Sequence, residues 1–439
     1  DRTKQWLETE NLTALNHFYS TIPVVAATCL GVFNHPLFQK RTFDFCIIDE
    51  ASQVFLCTSL GPLFNCHNFV LVGDQKQLPP VVQSTYARYN GLDESLFSRL
   101  LNTSGKQDIG HYDDDFNDDN ENMNKDYENK FCQSIRIFPL FIQYRMNSVI
   151  MQVANQLTYG NKLKCANKQV ESISLSDYLV LKSKTGILEE YRSTYLSKVI
   201  SPDLNDSVIF IDTNSIESAF EIYDEDNSGG NNFSQKQQQS LSLMYDDGEN
   251  GTNSNTTNDN SKCSFVINPF EAKLISHIVR ILLLIYGQKS NDNDDDDDGK
   301  NATTFNVDNI GIISPFRRQV NKIRELFGQQ FLEQNHLEIN TVDQYQGRDK
   351  DVIIYSCVKS CETPGETMNP IETSTPIIDS ELLKDERRLN VAVTRAKRKL
   401  IIIGNCHTLK RYLPFRNLFN VLRVEQFVSL KNFDFNDIV

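Results

Sequence analysis

Short apolar runs that end in acid or in a polar turn recur along this chain. Phe43 to Ile48 runs into Asp49 and Glu50, and residues 69–72 run into Gly73 and Asp74. Unalternated apolar runs of this length predict parallel strands buried on both faces. Residues 208–211, 310–313, 352–358 and 400–403 have the same character, and residues 23–27 (PVVAA) predict a shorter strand. Helical periodicity lies between these runs. Asn268 as cap, Pro269 at the first position and Glu271 two places later open a helix. Its residues Leu274, Ile278, Ile281, Leu282 and Ile285 form one apolar face that packs on a core. Further helices are predicted from residues 91–97 (GLDESLF), after Gln143 to Met146 toward Leu157, and over residues 385–397 (DERRLNVAVTRAK). In the last, Arg388 and Arg395 are seven apart and share a face. Strands alternating with helices predict an α/β fold around mainly parallel sheets, with ligands at the carboxyl ends of the strands.

Three stretches break the pattern. Residues 103–130, 212–262 and 287–309 are rich in Asp, Asn, Ser and Gln, carry too little apolar content to bury, and read as disordered acidic insertions. The whole chain has a formal net charge of −14, but these stretches carry −6, −8 and −5, leaving the remainder at +5. A polyanion partner is thus permitted where the total would argue against one. A length of 439 residues predicts two or three domains, and the chain begins with Asp1, as a piece of a longer protein would. Its 10 cysteines include no CxxC pair, which fits a reducing compartment. No run approaches the apolar length of a membrane span.

Candidate chemistry gathers at the strand ends. One carboxylate of the Asp49–Glu50 pair can hold Mg²⁺ while its neighbour polarises an attacking water. In GDQKQLPP, from Gly73 to Pro80, the amide of Gln77 can hydrogen-bond a terminal phosphate, and the double proline stops further strand pairing. Tyr144 and Arg145 place an aromatic ring beside a guanidinium, suited to a base and to phosphate respectively. Residues 341–350 (TVDQYQGRDK) crowd hydroxyl, amide and charged groups just before an apolar run.

DEAS, GDQKQLPP, QYRM, TVDQYQGRDKD and LNVAVTRAK stand in the order found in superfamily-one helicases, and the chain resembles that family over most of its length outside the insertions. VVAATCLGV, DEASQV with LGPL, GLDESLF and YGNKLKC bring it nearest to the helicase half of the eukaryotic replication helicase/nucleases that process Okazaki-fragment flaps. The resemblance implies two RecA-like lobes, the first truncated at its N-terminus. Residues 1–90 would be the remainder of the first lobe, 91–425 the second lobe with its insertions, and 426–439 a tail. It implies ATP and Mg²⁺ as cofactors, with Asp49 on the metal, Glu50 activating water and Gln77 sensing the γ-phosphate. Arg145 and Arg395 would supply charge to that phosphate as arginine fingers. Tyr144 would pack near the adenine and Asp349 near the ribose, with Arg388 also at the nucleotide; Thr28 and Thr341 would touch the single strand.

The family implies 5′-to-3′ movement on single-stranded DNA, flap substrates, work with single-strand-binding protein and replication factors, and end resection. It implies a nuclear location, with the mitochondrion as a second, and no membrane. No G-x-x-x-x-G-K-[ST] phosphate loop occurs in the chain. That loop, the nuclease residues and the ligands of the family's 4Fe-4S cluster are expected upstream of Asp1, and residues 1–439 alone are expected to hydrolyse no ATP. Two alternatives remain at this point: an RNA or RNA:DNA helicase of the surveillance or termination type, and a catalytically inactive nucleic-acid-binding scaffold.

Overall fold

The apolar run from Phe43 to Ile48 forms strand β1 (Phe43–Ile48), and most of the run at 69–72 falls in β2 (Cys66–Leu71), which starts three residues earlier. They pair in parallel, Phe43 opposite Cys66 and Ile48 opposite Leu71, through a crossover that contains helix α1 (Leu56–Leu63). The computed structural model describes residues 13–14, 17–104, 135–178, 195–216, 218–223, 266–287, 305–360 and 380–430. Contacts divide the chain into two units, Asp1–Leu140 and Phe141–Val439. Most of the three insertion-like stretches, with the disorder expected of them, lies outside the described residues.

The first unit departs from expectation in three ways. β1 and β2 are not buried on both faces: Phe45 is 65% exposed and Ile47 70%. Among the described residues the two strands pair only with each other. Residues 23–27 form no strand; their irregular backbone, with β1, walls a cavity of about 510 Å³. The unit also continues past residue 90. Helix α2 (Thr85–Tyr89) is capped by the Ser84 hydroxyl, which accepts from the Ala87 N–H, and α3 (Leu96–Ser104) follows. A bridge between Phe55 and Ser95 ties the start of α3 to the chain that leaves the Ala51–Gln53 turn, so this helix belongs with β1 and β2.

In the second unit, β3 (Ile142–Gln143) and β4 (Lys164–Cys165) form a small parallel pair around helix α4 (Ser148–Ala154), whose first turn is capped by Asn147. The main sheet has six strands, all parallel: β5 (Val208–Asp212), β8 (Ile310–Ser314), β9 (Glu338–Thr341), β10 (Lys350–Ser356), β11 (Ala396–Gly404) and β12 (Phe427–Ser429). Its order is β12-β5-β11-β10-β8-β9. Ile353 of β10 lies opposite Leu400 of β11 and Gly311 of β8. The apolar side chains of β5, β8, β10 and β11 are buried, each Ile or Val contributing roughly 1.5–3 kcal/mol. Helix α5 (Pro269–Tyr286) covers the sheet with the predicted face, and the Asn268 side chain accepts from the Glu271 N–H at 3.0 Å. Helices α6 (Arg317–Phe327), α7 (Val342–Tyr345) and α8 (Glu386–Thr394) complete an α/β unit of RecA-like architecture. No helix among the described residues is long and apolar enough to cross a membrane.

Three boundaries move here. The helix expected over 385–397 ends at Thr394, because Ala396 enters β11. Residues 427–429, expected in a tail, are the edge strand β12, paired to β5. The stretch expected to begin as an insertion at residue 212 first forms β6 (Ile222–Tyr223), which pairs antiparallel with β7 (Val266–Ile267). That ladder brings the two arms of the stretch together.

Candidate functional site

In the first unit the carboxyl ends of β1 and β2 meet. The Ala51 N–H donates to the Val72 carbonyl at 2.8 Å, and the Val72 N–H to that of Ile48 at 2.9 Å. A Cβ at Gly73 would stand 2.9 Å from the Ser52 backbone nitrogen, so only glycine lets the two turns approach this closely. Glu50 adopts a left-handed conformation, φ 50°, uncommon for a residue with a side chain. Its N–H donates to the Asp49 carboxylate at 2.9 Å, and its own carboxylate accepts from the Gln53 amide at 2.7 Å.

Asp74 organises the second turn. It accepts from the Lys76 N–H at 2.9 Å and from the Gln77 side-chain amide at 3.1 Å, which orients Gln77. Thr28 accepts from the Gly31 N–H at 3.0 Å and lines the same cavity as Asp49. A lone carboxylate such as Asp49 fits the way Mg²⁺ is held, with one or two carboxylates and the remaining oxygens from phosphate and water. Among the described residues no group of three or more His, Cys, Asp or Glu could hold a metal ion, so none is a candidate ligand set for an iron–sulfur cluster.

The second unit gathers a different set. Arg145 donates to the Thr394 carbonyl at 3.1 Å and lies 3.9 Å from an Asp349 oxygen. Asp349 also pairs with Lys397 at 2.5 Å. Burial raises the Asp349 pKa, but Lys397, Arg145 and Arg395 outweigh it and hold this carboxyl below the usual carboxylate range. Arg395 is only 1% exposed, and its guanidinium donates to the carbonyls of Val391 and Arg348. Arg388 bonds Asp385 at 2.6 Å and Asp343 at 2.8 Å. Tyr144 is 75% exposed, next to this cluster in sequence, and Thr341 closes β9 immediately before α7. Gly347, at φ 79°, takes the turn between α7 and β10. The structure therefore joins Arg145, Asp349 and Arg395, and holds Arg388 through carboxylates of its own.

Sequence reasoning missed Lys397, whose only signal is its place two residues beyond Arg395. It also missed a buried network behind the carboxyl end of β10. Glu271 accepts from the Ser356 hydroxyl at 2.6 Å and from the Val358 N–H at 3.0 Å. Burial pushes its carboxyl up to about 8, against these donors and with the neighbouring Glu221 adding to the rise. Val358 sits at φ 69°, a costly conformation for a β-branched residue, and the Glu271 bonds secure it. Lys359 is buried against Glu221 at 2.9 Å. Glu271 reads locally as an ordinary first-turn acid; its partners are 85 and 87 residues away.

Family models described as AAA domain match residues 121–407 and 2–85. The chain is 34% identical over 424 residues to the DNA replication ATP-dependent helicase/nuclease DNA2 of Bos taurus, covering 95% of this chain and 30% of that protein. It is 35% identical over 402 residues to the DNA replication ATP-dependent helicase/nuclease JHS1 of Arabidopsis thaliana, covering 92% and 22%. With DNA2 of Saccharomyces cerevisiae it shares 29% over 413 residues, covering 92% and 20%. The chain thus spans under a third of the length of these relatives.

Proposed function

Because the chain belongs to the AAA domain family, we propose that it is the motor segment of an ATP-dependent replication and repair helicase/nuclease acting on single-stranded DNA. The observation that carries this reading is the close approach of Gly73 to the Ala51–Ser52 backbone, which sets two acidic strand ends and the oriented amide of Gln77 at one edge. Asp49 holds Mg²⁺, which when bound supplies neutralising charge to phosphate oxygens. Glu50 accepts a proton from the attacking water, and Gln77 senses the terminal phosphate. Arg145 and Arg395 answer γ-phosphate charge, Tyr144 packs on the adenine, and Asp349 and Arg388 serve the nucleotide. Thr28 and Thr341 contact the strand. The motor moves 5′ to 3′, and the longer protein, working in the nucleus, cleaves 5′ flaps during Okazaki-fragment maturation and end resection.

ATP turnover tests the reading. In the protein expressed from its complete reading frame, oligo(dT) stimulates hydrolysis more than oligo(U) does. The 439-residue chain alone, which contains no phosphate-loop motif, turns over no ATP. Stimulation by RNA alone would overturn the DNA assignment, and turnover by the chain alone would overturn the requirement for a phosphate loop.

A further inference from the structure

Helix α2 follows the Gln77 turn by eight residues and carries two aromatic side chains that no assigned role uses. Tyr86 is 80% exposed and Tyr89 is 91% exposed. Spaced three apart on one helix, they occupy the same face. Such exposure forgoes the burial that usually stabilises a tyrosine, and it leaves two flat π faces open to a partner.

The helix is not loose. The Arg88 guanidinium donates to the Val82 carbonyl at 2.9 Å, the Asn90 side chain donates to the Tyr86 carbonyl at 2.8 Å, and Leu78 and Val82 are buried. The rings are therefore presented on an anchored support that continues from the GDQKQLPP turn. Charge narrows the choice of partner. From Gln75 to Leu92 the chain carries Lys76 and Arg88 and no acid, with Asp74 before this stretch and Asp93 and Glu94 after it. Paired aromatic faces beside cations and amides suit single-stranded nucleic acid, with stacking for bases and charge for the backbone.

We infer that Tyr86 and Tyr89 form a base-stacking platform for single-stranded nucleic acid, with Arg88 meeting the phosphate backbone. The inference rests on the nucleic-acid-binding reading above and extends it to a surface outside the motifs.

The test is fluorescence anisotropy of the chain with labelled oligo(dT) and oligo(U), beside photocrosslinking to oligonucleotides carrying 5-iodouracil. Replacing both tyrosines by Ala weakens oligo(dT) binding about fivefold or more, while the double Phe variant, which keeps the rings, binds as the parent does. Both variants melt at the parent's temperature, since neither ring is packed, and the crosslinks map to Tyr86 or Tyr89. If the Ala variant binds as tightly as a parent that itself binds oligo(dT), the platform is wrong and the nucleic-acid reading stands. If the parent binds neither oligomer, both fall. Tighter binding to oligo(U), still lost in the Ala variant, keeps the platform and removes the DNA preference.

Discussion

The β1–β2 pair of the first unit and the six-stranded sheet of the second are written in nearly the same code, yet they end in opposite states. Both have apolar runs feeding polar turns, although β1 includes Asp44 and β2 includes His67 and Asn68. Ile353 and Leu400 are fully buried between neighbours, whereas Phe45 and Ile47 are exposed on a sheet that has two strands among the described residues. A run of this kind specifies a strand. How many neighbours cover it depends on the rest of the assembly, and the burial of each side chain follows from that count. The chemistry divides the same way. The acids of the first unit sit on exposed turns held by local hydrogen bonds, while the arginines of the second are threaded into ion pairs and backbone carbonyls.

The largest expected effect tests that division. Glu50→Gln in the complete protein lowers ATP turnover about 100-fold or more without moving the melting temperature, because the lost group acts on a proton and supports little structure. Arg395→Ala lowers turnover and melting temperature together, since its guanidinium is buried on the carbonyls of Val391 and Arg348. Equal melting temperatures for the two variants would erase the distinction. Next in size, Ile353→Ala costs about 2–5 kcal/mol in urea unfolding, and Ile47→Ala less than about 1 kcal/mol. A similar cost for both would mean that the outer face of β1 is covered in solution.

A further effect is one of pH. In the fold the Glu271 carboxyl is raised to about 8 from its ordinary value of 4.5. The folded state therefore binds more protons than the unfolded state between these values, and its stability falls as pH rises through that window. Glu271→Gln flattens the fall, measured as the melting temperature at a series of pH values. An unchanged pH slope in the variant would assign the dependence to another group.

Much of the fold was legible because its signals are local. β1 begins and ends where the apolar run does, and Asn268 with Pro269 marked the first turn of α5. The pairing of two acidic ends was also readable, since a short crossover leaves parallel neighbours few alternatives. Residues 23–27 misled because apolar β-branched residues also suit irregular backbone along a cavity wall. The strand Ala396–Gly404 was hidden at its start by Lys397, Arg398 and Lys399, which read as a helix end or a solvated patch. Lys399 is nonetheless buried, its ammonium donating to the carbonyls of Lys198, Ser201 and Asp206 at 2.8 to 3.0 Å. Buried charges of this kind depend on partners nearly two hundred residues away, and no window of sequence contains both halves. Of the site, the strand-end acids were legible for the same local reason, and the partners that orient Asp349 and Arg388 were not.

The antiparallel pairing of Ile222–Tyr223 with Val266–Ile267 has a consequence for how this chain can vary. The clasp fixes where the path leaves the lobe and where it returns, immediately before α5. Closure cost then grows only with the logarithm of the intervening length, about 0.6 kcal/mol per doubling. Such a clasp is a port: sequence can be lengthened, shortened or exchanged there while α5 and the main sheet keep their seats.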